Sequence, residues 1–335
     1  MDTTSDRQTE SAGADGGESP GPARLDEIAE TAEKIRRNVD AVIEGKTAVV
    51  LTSIRVLLSG GHLLVEDVPG VDKTLLSKAL ATSIDASMRR IQFTPDLLPS
   101  DLTGVSVFNQ ANREFEFRPG GIFANIVLGD EINRASPKTQ AAMLEAMEER
   151  QVSVDGTTYR LPAPFMVIAT QNPVEMEGTY ALPEAERDRF TAKISLGYPS
   201  ADAEFAMLTS RESGDPLDSI GPVTDTRQVG RLIAALGGVH AAPEVLRYIV
   251  DLCSATRRHT DLLLGASPRA TLHLMRMARV VAVTEGRDYV VPDDVLESAT
   301  AVLAHRLLPT PQATMSGRSV EDALARILEQ TPVRT

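Results

Sequence analysis

Three short segments of the chain carry side chains suited to phosphate chemistry, and each closes an apolar run. Lys73-Thr74 follows Leu63-Leu64-Val65 and a Pro69-Gly70 turn. Asp130-Glu131 ends the run from Ala124 to Gly129. Gln171-Asn172-Pro173 ends the run from Phe165 to Thr170. Nucleotide hydrolysis needs a phosphate cradle, a Mg²⁺ ligand, a group that polarises water, and positive charge at the γ-phosphate. A strand, a tight turn and an apolar helix, in that order, are the setting of a phosphate loop. Its backbone N–H groups and helix N-terminus hold phosphates. Lys73 is then placed to reach the β- and γ-phosphates, and the Thr74 hydroxyl to hold Mg²⁺. Asp130 supports the ion, Glu131 polarises the attacking water, and Asn172 positions it. Arg189 and Arg269 are the candidate phosphate arginines.

The loop departs from the pattern G-x-x-x-x-G-K-[ST]: Asp67 stands at the first glycine position and Asp72 at the second. The second matters more. Glycine there lets the backbone approach phosphate closely and adopt positive φ. A carboxylate about 5 Å from a phosphate charge, at an effective dielectric near 20, repels by roughly 3 kcal/mol. That weakens binding on the order of a hundredfold. The cofactor-binding stretch is therefore Asp67, Val68, Pro69, Gly70, Val71, Asp72, Lys73, Thr74 and Leu75, with Asp72 its weak point.

The elements that position these residues follow from periodicity. Leu25, Ile28, Ala32, Ile35 and Val39 recur at helical steps, and a second helix from about 47 to 59 stops at Gly60-Gly61. Leu75, Leu76, Ala79 and Leu80 form the inner face of the helix after the loop. Ile91-Gln92-Phe93 reads as a strand. Residues 105–108 and 114–117 alternate with period two around a turn, and 151–160 repeat this around Asp155-Gly156, so both are hairpins. A helix from about 137 to 149 carries Ala142, Leu144, Ala146 and Met147. Strands largely stop near Pro199, and helical patterns follow near 201–213, 226–237, 242–257, 268–284, 292–307 and 318–329. Alternating strands and helices predict an α/β core over 25–199; the remainder, 200–335, is predicted as an all-helical domain. An apolar strand of an open α/β sheet that ends in Asp-Glu places its acids where such sheets bind ligands.

Composition narrows the class. At 335 residues, 42% of them hydrophobic, the chain has room for two domains with real cores. With 4% aromatics and no Trp, those cores are aliphatic. A net charge of −13 disfavours an open surface for nucleic acid, and with it a DNA motor. Residues 1–24 are acidic and poor in large apolar groups, the composition of a disordered tail. The one cysteine, Cys253, excludes an intramolecular disulfide and falls in an apolar helical pattern with Leu246, Ile249 and Val250. The five histidines lack ligand spacing, so no structural metal is expected. Met275 and Met277 read as core. There is no apolar stretch of membrane-spanning length and no signal pattern, so a cytoplasmic protein without direct membrane insertion is expected.

Longer segments carry a specific resemblance. They are IQFTPDLLPSDLTG at 91–104, FRPG at 117–120, DEINRASPKTQ at 130–140, LEAMEERQV at 144–152, ATQNP at 169–173, EGTY at 177–180 and GASPR at 265–269. In these the chain resembles the MoxR family of AAA+ ATPases, within the helix-2-insert group, from about Ala32 to Leu308. The resemblance implies an AAA+ P-loop parallel-sheet core, an αβα sandwich with β-hairpin inserts, followed by an all-α lid. It matches Asp130-Glu131 to Walker B and Asn172 to sensor 1. Arg189 corresponds to an arginine finger acting on a neighbouring subunit's nucleotide, and Arg269 to sensor 2. It also implies ATP and Mg²⁺ as ligands, a homo-oligomeric ring, usually a hexamer, and protein clients, often with a von Willebrand A domain. Asp67 is ordinary for the family; Asp72 is not, and Gly129 stands where the family favours Ala. A second reading, a hydrolysis-impaired nucleotide-binding scaffold subunit, rests on Asp72 alone. Arg134 has two readings, an arginine acting in trans or a surface ion pair. Arg187, where the family has an apolar residue, reads as a solvated side chain or a second interface arginine.

Overall fold

The computed structural model describes residues 25–43, 45–67, 73–172, 180–198 and 215–333. The expected acidic tail over 1–24, the helical pattern near 201–213 and the loop residues Val68, Pro69, Gly70, Val71 and Asp72 lie outside them.

Helices α1 (Leu25–Asp40) and α2 (Thr47–Leu58) lead into β1 (Leu63–Glu66) and α3 (Lys73–Ser83). Next come β2 (Met88–Gln92), the short α4 (Pro99–Thr103) and a hairpin of β3 (Val105–Asn109) and β4 (Glu114–Arg118). Strand β5 (Ile126–Asp130), helix α5 (Pro137–Glu149), a second hairpin of β6 (Gln151–Val154) and β7 (Thr157–Arg160), and β8 (Met166–Gln171) follow. The short α6 (Glu184–Arg187) and β9 (Ala192–Ile194) complete the α/β part. Five strands form one parallel sheet in the order β2-β5-β8-β1-β9.

Parallel strands covered on both faces are near-continuously apolar, and the inner strands here comply. Leu63, Val65, Ile126, Leu128 and Ile168 face one core, shared with α1, α3 and the C-terminal helices. Leu64, Val127, Val167 and Ala169 face the other, under α5 and the hairpins. The two hairpins touch: Phe117 stacks on Tyr159 with ring centroids 3.8 Å apart.

The C-terminal part holds α7 (Thr226–Ala235), α8 (Pro243–Thr256), α9 (Pro268–Thr284), α10 (Pro292–Leu303), α11 (Pro311–Met315) and α12 (Val320–Gln330). Between its helices a short pair, β10 (Leu262–Leu264) and β11 (Leu308–Pro309), runs antiparallel. Cys253 and Met277 are buried, as expected. On α8, however, Leu246 and Val250 are exposed, and the buried face is Val245, Tyr248, Ile249, Leu252 and Cys253. Among the described residues no helix is long and apolar enough to cross a membrane.

A buried joint fastens the two parts together. The Arg306 guanidinium donates to Asp188 Oδ1 at 2.9 Å, to the Asp188 carbonyl at 3.0 Å and to His273 Nδ1 at 3.0 Å. It also donates to the Val302 and Phe190 carbonyls. Burial lowers the Arg306 pKa to about 10, against the raising effect of Asp188. Asp188 accepts from Ser267 Oγ as well, at 2.7 Å. One carboxylate thus ties the start of α9 and the end of α10 to the segment before β9.

Candidate nucleotide site

The parallel register brings the functional residues to one end of the sheet. Gln92 pairs with Asp130, Gly129 with Ala169, and Glu66 with Gln171. Thr170 therefore sits level with Asp130, and Asn172 directly follows β8. Lys73 opens α3, and its Nζ turns back to donate to the Asp67 carbonyl at 3.2 Å. Thr74 and Leu75 occupy the same first turn, Leu75 leaning on the core.

Thr170 organises the acidic pair. Its hydroxyl donates to Asp130 Oδ1 at 2.6 Å and accepts the Glu131 N–H at 2.9 Å. One side chain thereby uses both its donor and an acceptor to fix both acids. Glu131 needs this help, since its backbone is left-handed at φ 56 and ψ 51, an uncommon conformation for a non-glycine residue. The Glu131 carboxylate accepts from Gln92 Nε2 at 2.8 Å and from Arg134 Nη1 at 3.0 Å. Asp130 Oδ2 accepts from Arg90 Nη2 at 2.6 Å. Burial would raise the Asp130 pKa, but the bonds from Thr170 and Arg90 and the charges of Arg90 and Lys73 together hold it below the usual range. Asp130 is thus an ionised carboxylate and Thr74 a hydroxyl, the hard oxygen donors that Mg²⁺ selects. The residues present fit that ion, with Arg90 sharing the carboxylate.

Thr170, Gln92 and Arg90 are absent from the sequence-derived set. The signal for them was positional: each is a polar residue on a strand that becomes the neighbour of Asp130 or Glu131 once strand order is known. Arg134 pairs with Glu131 of its own chain. Arg187 is partly buried and pairs with Glu184 at 3.7 Å. Gly129 faces Phe93: a Cβ there would lie 3.2 Å from Phe93 Cε2, so an alanine requires a small shift of that ring.

Asp67 makes contacts that spacing along the chain does not foretell. Its carboxylate is buried. It accepts from Ser195 Oγ at 2.9 Å, from the Gly197 N–H at 2.9 Å and from the Leu196 N–H. It clamps the chain leaving β9 to the chain leaving β1, while its carbonyl accepts from Lys73.

Arg189 and Arg269 are placed elsewhere. Arg189 precedes β9, and with Gly61, His62 and Thr191 it lines a cavity at the N-terminal end of the strands. From His62 to Asp67 the strand advances about 16 Å, so the two ends of the sheet are well separated. Arg189 donates to the Leu144 carbonyl at 2.6 Å and pairs with Glu148 at 3.2 Å. Arg269, on α9, pairs with the same Glu148 and with Asp188 at 3.6 Å. The structure therefore unites these two arginines with each other and separates them from the acids. Among the described residues no cluster of three or more His, Cys, Asp or Glu forms a metal site.

Comparison with known proteins gives a consistent picture. Residues 62–192 match the model for the ATPase family associated with various cellular activities (AAA), and 254–327 match an AAA lid domain. The chain is 47% identical to YeaC of Bacillus subtilis over 300 residues, covering 90% of this chain and 94% of that one. It is 42% identical to the chaperone MoxR1 of Mycobacterium tuberculosis over 310 residues, covering 89% and 81%. A crystal structure of a candidate ATPase from Cytophaga hutchinsonii superposes with a TM-score of 0.87 at 36% identity, covering 93% of this chain and 97% of that one.

Proposed function

The chain belongs to the MoxR family of AAA+ ATPases, and from that premise we propose that it hydrolyses ATP to ADP and phosphate within a homo-oligomeric ring, to remodel or activate partner proteins. The observation that carries the reading is the hub at Thr170, which fixes Asp130 and Glu131 beside the strand end to which Lys73 returns. Lys73 and the loop over 67–75 hold the phosphates, and Asn172 positions the attacking water. Glu131 accepts the proton of that water; Gln92 and Arg134 hold its carboxylate in place meanwhile. Thr74 and Asp130 would hold Mg²⁺, which would supply charge neutralisation for phosphoryl transfer.

Arg189 and Arg269 lie at the far end of the sheet, so they serve the nucleotide of an adjacent subunit. Such a contact is heterologous, arginine end to loop end, and a heterologous contact that closes on itself gives a ring. A hexamer and von Willebrand A domain clients are the specific ring and partners that we propose. The chain spans 94% and 81% of YeaC and MoxR1, and MoxR1 carries the name of a chaperone. This supports a remodelling role and not nucleic-acid work.

Turnover of Mg²⁺-ATP by the native chain and by Glu131→Gln tests the reading. Removing a general base costs about a hundredfold or more in rate. The expected result is retained ATP binding with turnover lost. Equal turnover in the two proteins contradicts the role given to Glu131.

A further inference from the structure

Arg189 and Arg269 come from different parts of the chain, and one side chain joins them. Arg189 lies between α6 and β9, while Arg269 is in the first turn of α9. Glu148 Oε2 pairs with Arg189 Nη1 at 3.2 Å, and Glu148 Oε1 accepts from Arg269 Nη2. Both oxygens of one carboxylate are thus taken up by two guanidinium groups of like charge. Leu144, one turn earlier on α5, offers its carbonyl to the same Arg189 Nη1 at 2.6 Å. On the other side, Arg269 Nη1 lies 3.6 Å from Asp188 Oδ2. Acid and arginine therefore alternate in the order Asp188, Arg269, Glu148, Arg189.

The two acids differ in what surrounds them. Asp188 belongs to the buried joint with Arg306 and Ser267, its side chain 14% exposed. The Glu148 side chain is 40% exposed, and those of its two arginines 29% and 35%. Ion pairs this open to water add little to stability, because solvent screens them and ordering long side chains costs entropy. What the Glu148 bridge supplies is geometry. Two arginines without a carboxylate between them repel each other and sample many rotamers. With it, their separation and direction are fixed by charge-assisted bonds. Arg269 belongs to the C-terminal part and Glu148 to α5 of the α/β part, so the bridge sets this distance across the boundary between them. Misplacing a group that acts on a reaction by about 1 Å costs on the order of a hundredfold in rate.

We propose that Glu148 is a positioning residue for the reaction in the adjacent subunit: it holds Arg189 and Arg269 at a common spacing and acts through them. The proposal rests on the reading that these two arginines serve a neighbour's nucleotide, and adds to it the residue that aims them.

Mixing variants assigns the Glu148 defect to one end of the chain. Glu148→Ala alone is expected to retain ATP binding and to turn ATP over at least tenfold more slowly, with melting temperature and oligomer size unchanged. Mixed one to one with Glu131→Gln, it is expected to recover about a quarter of native turnover, because the two defects lie at different ends. Mixed with Arg189→Ala, which carries the same defect, it is expected to show only the mean of the two components. Glu148→Asp, which keeps the charge but draws it back by one methylene, is expected to fall between Glu148→Ala and native. Should Glu148→Ala lower the melting temperature, the nearly isosteric Glu148→Gln takes its place in the same mixtures. Native turnover in the Glu148 variant overturns the proposal, and so does recovery on mixing with Arg189→Ala. Failure to recover with Glu131→Gln, where Arg189→Ala does recover with it, overturns the proposal alone. Failure of both mixtures overturns the reading beneath it as well.

Discussion

At the C-terminal end of the sheet Asp130 is matched by Arg90, Glu131 by Arg134 and Glu66 by Lys193. At the N-terminal end five arginines line the cavity, and its one carboxylate, Glu148, pairs with Arg189 and Arg269. The first end is balanced within one chain and holds its acids in position before any ligand arrives. The second end is rich in donors and short of carboxylates. A molecule with one preformed acidic end and one unsatisfied basic end is suited to stack end to end, and that is the physical case for action between subunits.

The comparison is sharpened by changing one end at a time. The largest expected effect at the acidic end comes from Asp72→Gly, which removes the repulsion between the loop and the phosphates. ATP affinity rises by roughly a hundredfold on the Coulomb argument, read by nucleotide titration; an unchanged affinity shows that the Asp72 carboxylate does not face the phosphates. Next is Thr170→Val, which keeps shape but removes the hydroxyl that Asp130 and Glu131 share. Losing a bond to a charged partner costs about 2 kcal/mol, so turnover is expected to fall by about tenfold or more with little change in overall fold by circular dichroism.

The smallest effect lies at the basic end and appears with pH. His62 is fully buried, its Nδ1 accepting the Val167 N–H at 3.0 Å, which leaves Nε2 to donate to the Met147 carbonyl at 3.1 Å. Burial, aided by the Arg150 charge, lowers its pKa to about 4. Between pH 6.5 and 4 the unfolded chain takes up a proton on this ring and the folded chain does not, so stability falls as the solution is acidified through that window. At pH 5 the loss is about 2 kcal/mol for this ring. Urea unfolding at pH 7 and pH 5 is expected to show a difference smaller by about that amount in His62→Gln.

Much of this was legible in the sequence. Apolar runs at 63–65, at 124–129 before Asp130-Glu131 and at 165–170 before Asn172 marked three strands and their reactive ends. Period-two stretches marked both hairpins, and helical spacing found most of the C-terminal helices. What escaped has a common cause. Ala192–Ile194 is three residues long with Lys193 in its middle, so it carries no strand pattern of its own. It becomes a strand by pairing with β1. Met88-Arg89-Arg90 extends β2 on the open edge, where polar side chains reach water and alternation is lost. The partners of the acids, Thr170, Gln92 and Arg90, depend on strand order, which spacing along one chain does not contain. The contacts of Asp67 at Ser195, Leu196 and Gly197 escaped for the same reason, because they lie far along the chain. The joint reading of Arg189 and Arg269 needed Glu148, an unremarkable acid among several on α5.

The claim that one end of each chain serves the other end of its neighbour has a direct test. Glu131→Gln lacks the base but keeps its arginines, while Arg189→Ala lacks an arginine but keeps its base. Each alone is expected to be nearly inactive. Mixed one to one, random rings place an intact arginine beside an intact base at about a quarter of the sites, and turnover is expected to return to about that fraction of native. A mixture that stays as inactive as its two components contradicts action between subunits.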